Sequence, residues 1–288
     1  MLYLVLKKFK KMKKILLLSF CCLCLISLMM AQNAQDTLTL KIPEKQDPAE
    51  LAKKLANPLA KLISMPFQNN TDVGIGENHN GYKNTLYVQP VIPIKLSKKL
   101  NLITRYILPV VSQKNITGDS TSQAGLGDLN ISAFFSPAEA KKGFVWGLGP
   151  VFLVPTATDE LLGSKKFSIG PSALALLQTH SMTIGALVSQ TWSVAGDEDR
   201  SDVNLLYVQP FFTYNWKSGA GVGFSAEISQ NWEGDNTSIF LIPAVLGITR
   251  LGKQMIQLLI GPRFQVVSPD KNGAVFGVRA QLSFVFPK

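Results

Sequence analysis

The stretch Ala274-Val275-Phe276-Gly277-Val278-Arg279-Ala280-Gln281-Leu282-Ser283-Phe284-Val285-Phe286 decides how the rest of the chain is read. Ala274, Phe276, Val278, Ala280, Leu282, Phe284 and Phe286 occupy every second place, with Gly277, Arg279, Gln281 and Ser283 between them. Successive side chains of a strand point to opposite faces, so a period of two with one apolar side marks a strand and not a helix. Just upstream, Ile256, Leu258, Ile260, Pro262, Phe264 and Val266 oppose Gln257, Gly261, Arg263 and Gln265. Further back, Val222, Phe224, Ala226 and Ile228 oppose Gly223, Ser225, Glu227 and Ser229.

Followed toward the N-terminus, the same pattern recurs in twelve segments near 67–76, 83–96, 100–112, 124–136, 143–156, 166–178, 181–195, 202–216, 219–232, 237–250, 253–267 and 273–286, the first being the least regular. The links alternate in character. Ser97-Lys98-Lys99, Gln178-Thr179-His180, Lys217-Ser218 and Leu251-Gly252 are tight, whereas 77–82, 113–123, 157–165, 196–201 and 268–272 are mostly longer and more polar. The six-residue link 137–142 departs from this rule, lying where a short turn is expected. Short turns on one rim and long loops on the other, with an even strand number, are the pattern of bacterial outer-membrane barrels, whose chain ends both lie in the periplasm. The expected fold is therefore all-β: a closed antiparallel transmembrane β-barrel of about 12 strands with a short N-terminal helical segment.

Three regions follow from this reading: a signal peptide over 1–31, a helical segment over 32–66 that is either periplasmic or a luminal plug, and the barrel over 67–288. Lys7, Lys8, Lys10, Lys11, Lys13 and Lys14 precede an apolar run from Ile15 to Met30, and the small and polar residues Ala31-Gln32-Asn33-Ala34 follow. The run is shorter than the roughly 20 residues of a spanning helix and has the order of an export signal. Cleavage there removes 6 of the 29 basic residues and none of the 19 acidic ones, so the formal charge falls from +10 to +4. The basicity belongs mainly to targeting, and no nucleic-acid footprint remains. Cys21, Cys22 and Cys24 leave as well, which excludes a disulfide framework and a cysteine metal site. In the next region, Asp47-Pro48-Ala49-Glu50 has the order of a helix start, and Leu51, Leu55, Leu59, Leu62 and Ile63 recur at helical spacing until Asn57-Pro58 should break it. Such a segment suits a periplasmic helix, a plug in the lumen or a docking element.

A twelve-stranded barrel is too wide for aliphatic side chains to fill, so the polar faces are expected inside and the apolar ones against lipid. The lumen-lining candidates are Arg105, Glu227, Arg263 and Arg279, with Gln89, Gln209, Gln257, Gln265 and Gln281. Inward charge sets selectivity in pores, or it forms a salt-bridged interior that stiffens the wall. The sequence accommodates both. Trp146, Trp192, Trp216 and Trp232 fall in the outward register near strand ends, as two interfacial girdles would require. Pro90, Pro93, Pro109, Pro150, Pro171, Pro210, Pro243 and Pro262 lie inside strands, and a closed barrel has no edge to hold them, so bulges or missing ladder bonds are expected at similar depth.

Several of these segments carry a family resemblance. They are Asn57-Pro58 with Leu62-Ile63-Ser64-Met65-Pro66-Phe67-Gln68-Asn69-Asn70, Gln89-Pro90-Val91-Ile92-Pro93, Asn101-Leu102-Ile103-Thr104-Arg105 and Gly125-Leu126-Gly127-Asp128-Leu129-Asn130. Trp146-Gly147-Leu148-Gly149-Pro150, Pro155-Thr156-Ala157-Thr158-Asp159, Trp192-Ser193-Val194-Ala195-Gly196-Asp197 and Phe286-Pro287-Lys288 complete the set. Together they resemble the outer-membrane barrel "transporter" proteins grouped as phenol meta-pathway degradation proteins and often mislabelled neuromedin U. The resemblance spans nearly the whole mature chain. It implies a barrel that passes small, hydrophobic or aromatic molecules, and it assigns no functional residue.

Chemistry finds little support. His79 and His180 are the only histidines, one in a long link and one in a tight turn, and no zinc spacing or G-x-S-x-G nucleophile motif is present. The acidic run Gly196-Asp197-Glu198-Asp199-Arg200-Ser201-Asp202 offers oxygens for calcium but reads better as a solvated loop. Gly74-Ile75-Gly76, Gly125-Leu126-Gly127 and Gly147-Leu148-Gly149 open no helix, so they are not phosphate loops. The expected function is a non-enzymatic channel or transporter in the bacterial outer membrane, reached by signal-directed export and the barrel-assembly machinery. Its partners are outer-membrane lipid and a small-molecule solute, with no cofactor, no metal and no nucleic acid. The alternatives are a structural or adhesive barrel with a blocked lumen and, behind it, an outer-membrane enzyme.

Overall fold

In the computed structural model, which describes residues 48–76, 78–252, 254–269 and 273–286, the period-two segments form the staves of one closed wall. The signal-peptide region 1–31 and the first part of the 32–66 segment lie outside the described residues. One short helix, α1 (Pro48–Leu55), is followed by β1 (Ile63–Ile75), β2 (Gly81–Val88), β3 (Val91–Lys95), β4 (Leu100–Lys114), β5 (Ser122–Leu126), β6 (Leu129–Pro137) and β7 (Phe144–Val154). Then come β8 (Lys166–Gln178), β9 (Met182–Gly196), β10 (Asn204–Asn215), β11 (Ala220–Asn231), β12 (Asn236–Leu251), β13 (Gln254–Val267) and β14 (Phe276–Phe286). Neighbouring staves are antiparallel throughout, and β14 pairs with β1 from Ile63↔Phe286 to Val73↔Phe276, which closes the barrel.

The wall has twelve staves because two are broken. β2 and β3 form one stave interrupted at Gln89-Pro90, and β5 and β6 form another interrupted at Gly127-Asp128. At the first break the backbone bonds persist, with Gln89 N donating to Pro66 O at 2.9 Å and Tyr106 N to Pro90 O at 3.1 Å. At the second, the link after β7 takes the place of a strand beside β5. Thr158 N donates to Leu126 O at 3.0 Å, and Leu126 N donates to Thr158 Oγ1 at 2.9 Å.

Five of the strand prolines coincide with gaps in the ladders, whereas Pro93 pairs with Ile103 in an unbroken one. Pairing skips from Ser132↔Val151 to Phe135↔Leu148, from Ile169↔Trp192 to Ser172↔Ser189, from Val208↔Ile228 to Phe211↔Ser225, and from Leu241↔Phe264 to Val245↔Ile260. Pro150, Pro171, Pro210, Pro243 and Pro262 occupy these gaps. Pro150 and Pro171 face each other across β7 and β8. Their gaps fall on the far sides, toward β6 and β9, where the missing amide hydrogens would have pointed. The glycines before prolines let strands close in at these places: a Cβ on Gly149, Gly170 or Gly261 would overlap the carbonyl oxygen of Ala133, Gln190 or Pro243.

The first strand begins at Ile63, earlier than the expected boundary at 67, and this corrects the limits of the segment before it. Ser64, Pro66, Gln68, Asn70 and Asp72 pair with inward positions on β14, so the helical repeat of Leu62 and Ile63 gives way to strand alternation without a linker. Helix α1 is short, as Asn57-Pro58 implies, with Glu50 in its first turn and Lys53 and Lys54 in its last, both favourable to the helix dipole.

Residues 48–62 lie inside the rim that carries the tight turns. Leu51 and Leu62 bury against Met255 and Val285, while Leu59 packs into Ile103, Phe134, Leu174, Leu176 and Leu187 on the opposite wall. Full burial of such a leucine contributes about 1.5–3 kcal/mol. Gln178 Nε2 donates to Lys53 O at 2.6 Å, a further tie to the wall. The short 8-residue helix is therefore stabilised by packing and not by its own length.

Replacing Gly149 with valine should destabilise the folded barrel by about 3 kcal/mol or more, because the new side chain meets backbone that cannot retreat. Gly247→Ala, at a site with nothing within 4 Å, should leave stability unchanged. Urea titration of vesicle-folded protein, read by heat-modifiable mobility on gels, compares the two.

Candidate functional site

Outside and inside are inverted relative to a water-soluble barrel. Large apolar side chains stand exposed on the outer face, Ile184, Val245 and Ile260 each more than half exposed, whereas Asn70, Asp72, Gln113, Gln123, Arg263 and Arg279 are buried within. Trp146, Trp192, Trp216 and Trp232 are all exposed on that outer face. The candidate site is thus the lumen.

Its centre is a charge cluster built from five adjacent staves. Arg263 on β13 donates from Nε to Asp72 Oδ1 of β1 at 3.1 Å and from Nη1 to Glu227 Oε2 of β11 at 3.0 Å. Arg279 on β14 donates from Nη2 to Glu227 Oε1 at 2.6 Å and from Nε to Asn70 Oδ1 at 2.9 Å. Glu227 therefore bridges both guanidiniums with its two oxygens. Beneath it the Phe240 ring on β12 lies 4.2 Å from Arg263 Cζ, a cation–π contact. Strand alternation and the registers Glu227↔Phe240, Asn70↔Arg279 and Arg263↔Gly277↔Asp72 put these groups on the inner face together.

Arg105 differs. It projects from β4, and its Nη2 donates to Gln89 Oε1 at 2.7 Å; among the described residues it forms no ion pair within 4 Å. Tyr207, Glu227 and Arg279 lie within its electrostatic reach.

Of the residues singled out in the sequence, Glu227, Arg263 and Arg279 meet in one network. Gln89 joins Arg105, and Gln209, Gln257 and Gln281 line a cavity with it. Gln265 stands apart near the long loops, where its Nε2 donates to Ser238 Oγ at 3.0 Å and its Oε1 accepts from Ala274 N at 2.8 Å. Sequence reading missed Asp72, Asn70 and Phe240. The run Gln68, Asn70, Asp72, polar at every second place, carried the signal for the first two.

The cavity measures about 250 Å³. Residues 54–62 form its floor, Arg105, Arg279, Gln89 and Gln281 bound it toward mid-height, and Phe211, Leu174, Leu187 and Ile242 line its sides.

The long loops form a second polar centre. Asp128 Oδ2 accepts from Ser164 N at 2.6 Å and Ser164 Oγ at 2.8 Å, and Oδ1 accepts from Ala157 N at 3.2 Å. Arg200 donates to the backbone of Glu160 and Gly163 at 3.1 and 2.8 Å, joining two loops. Lys165 holds Glu160 at 2.7 Å and Lys166 holds Asp202 at 3.0 Å. Hydrogen bonding to these lysines keeps both carboxyls below their usual pKa range. In the acidic run, Asp197, Arg200 and Asp202 are thus engaged with neighbouring loops. No group of three or more metal-ligating side chains occurs among the described residues. His79 and His180, both exposed, lie on opposite rims.

Replacing Glu227 with glutamine should cost about 3 kcal/mol, since it leaves two buried guanidiniums short of a counter-charge. The double variant E227Q/R279Q should recover part of that loss. An unchanged urea midpoint for E227Q would show that lumen water, and not Glu227, compensates the arginines.

No family model matches the chain, and no curated protein matches it. Among solved structures, the COG4313 outer membrane channel from Pseudomonas putida F1 overlays with a TM-score of 0.60 at 13% identity, covering 78% of this chain and 94% of that one. The NanC porin overlays less well, with a TM-score of 0.46 at 9% identity over 78% of this chain and 100% of that one. The outer membrane phospholipase of Salmonella typhi gives 0.44 at 10% identity over 82% of this chain and 98% of that one. The first likeness establishes a shared barrel fold; the other two are too distant to support a comparison.

Proposed function

We propose that this protein is an outer-membrane channel for small solutes, working without covalent chemistry and closed at rest by its own N-terminal segment. The observation that carries the reading is the placement of residues 48–62, which cover a cavity of mixed polar and apolar lining at the turn rim through side-chain packing and a side-chain hydrogen bond to the wall. A cover held this way is displaceable, and the inward Arg, Gln and Ser side chains behind it suit water and a polar solute. An apolar outer face on a wall closed by the β1–β14 ladder suits lipid. The barrel likeness to an outer-membrane channel and the family resemblance read from the sequence both support this location and role. In this reading the turn rim faces the periplasm, export relies on the basic-apolar N-terminus, and insertion relies on the barrel-assembly machinery.

A structural barrel is the second reading, and the same lumen filling favours it. Conductance decides between them. The full mature chain in planar bilayers should conduct weakly, and Leu51→Asp with Leu59→Asp should raise conductance several-fold by unseating the segment. Removal of residues 32–60, which stops short of β1, should do the same. Silence in all three, from protein that migrates as a folded barrel, would leave the structural reading standing.

A further inference from the structure

Three features of the lumen outside the salt-bridged cluster converge on one spot. The first is charge. Asp72 and Glu227 pair with Arg263 and Arg279, whereas Arg105 forms no ion pair among the described residues and donates to the neutral Gln89. A guanidinium carries five donors, and one of Arg105's is engaged by Gln89. The second is the surrounding wall. Lys54, Arg105 and Arg279 line the cavity, and no Asp or Glu does. The third is its apolar remainder, where Leu174, Leu187, Phe211 and Ile242 offer contact to a hydrocarbon body.

A cavity with surplus cation and no acid repels cations and stabilises an anion, the more so away from bulk water. A guanidinium fork matches a carboxylate with two parallel hydrogen bonds. We infer that the cavity beneath the charge cluster is a binding site for a small organic monocarboxylate with a compact apolar body, its carboxylate on Arg105 and its body against Phe211 and Leu187. The inference rests on the channel reading for its purpose, since a bound anion there is a solute held in transit. It does not rest on it for its chemistry.

Arg279 does not compete for the role, because Glu227 and Asn70 already engage it. Lys54 arrives with the N-terminal segment, so the seated segment completes the anion site as well as covering it. Unseating the segment should therefore weaken binding while it raises conductance.

Equilibrium dialysis of radiolabelled benzoate and octanoate against the full mature chain, folded in detergent, tests the site directly. Saturable binding of both is expected, with the neutral isostere benzamide failing to compete. Arg105→Gln should weaken binding roughly 10- to 100-fold, the loss expected for one charge-assisted hydrogen-bonded contact, and Arg105→Lys should keep part of it. Binding that benzamide displaces equally, or that R105Q leaves intact, would overturn the inference, as would absence of saturable binding. Should R105Q fail to fold, the benzamide competition on the unaltered chain still decides. Conductance without binding would sink this site and leave the channel; binding without conductance would do the reverse.

Discussion

A strand edge facing an apolar surrounding has no substitute partner for its amides and carbonyls, and each orphaned group there costs several kcal/mol. In this protein the ladder between β1 and β14 removes the last two edges. The rest of the architecture answers to that closure. Once the wall is a ring, every stave must send alternate side chains inward, and a ring of twelve staves leaves an interior that aliphatic side chains do not fill. Polar residues take it up, and apolar ones are left outside in numbers no water-facing wall would tolerate.

Proline is the apparent contradiction, and the ladders resolve it. On β7, β8, β10, β12 and β13 the proline coincides with a skipped pairing, so the donor that it lacks has no acceptor waiting. Adjacent glycines permit the close approach these gaps need. Where the wall is broken outright, at Gly127-Asp128, the folded loop around Thr156, Thr158 and Ser164 supplies the bonds a strand would have made. At that break, loop hydrogen bonds take the place of a strand ladder.

Alternation was legible wherever one face was cleanly apolar. The last two staves carried it in full, and with them the inward placement of Arg263 and Arg279. It failed at the first stave, where Leu62 and Ile63 continue a helical repeat from Leu51, Leu55 and Leu59, and where the outward face itself carries Asn69 and Thr71. Asn69 donates to Thr71, which also accepts from Asn84, so their polarity is met along the wall and disguises the period. With β1 indistinct, Asp72 went unnoticed and Arg263 lacked its partner in the sequence reading. The seat of residues 48–62 was legible only as one of three alternatives, because hydrophobic spacing shows that a helix must be covered but not by what.

The central network joins positions of very different separation along the chain. Glu227 and Arg263 are 36 residues apart and belong to consecutive hairpins, while Asp72 and Arg263 are 191 apart and Asn70 and Arg279 are 209 apart. Local contacts form early in folding, and distant ones wait on loop closure. The C-terminal hairpins can thus assemble with Glu227 already holding both arginines, a carboxylate outnumbered by cations. Only the arrival of β1 brings Asp72 and balances them. Ring closure and charge neutrality are completed in the same act, so a barrel that stalls one strand short carries an electrostatic penalty in addition to its open edges.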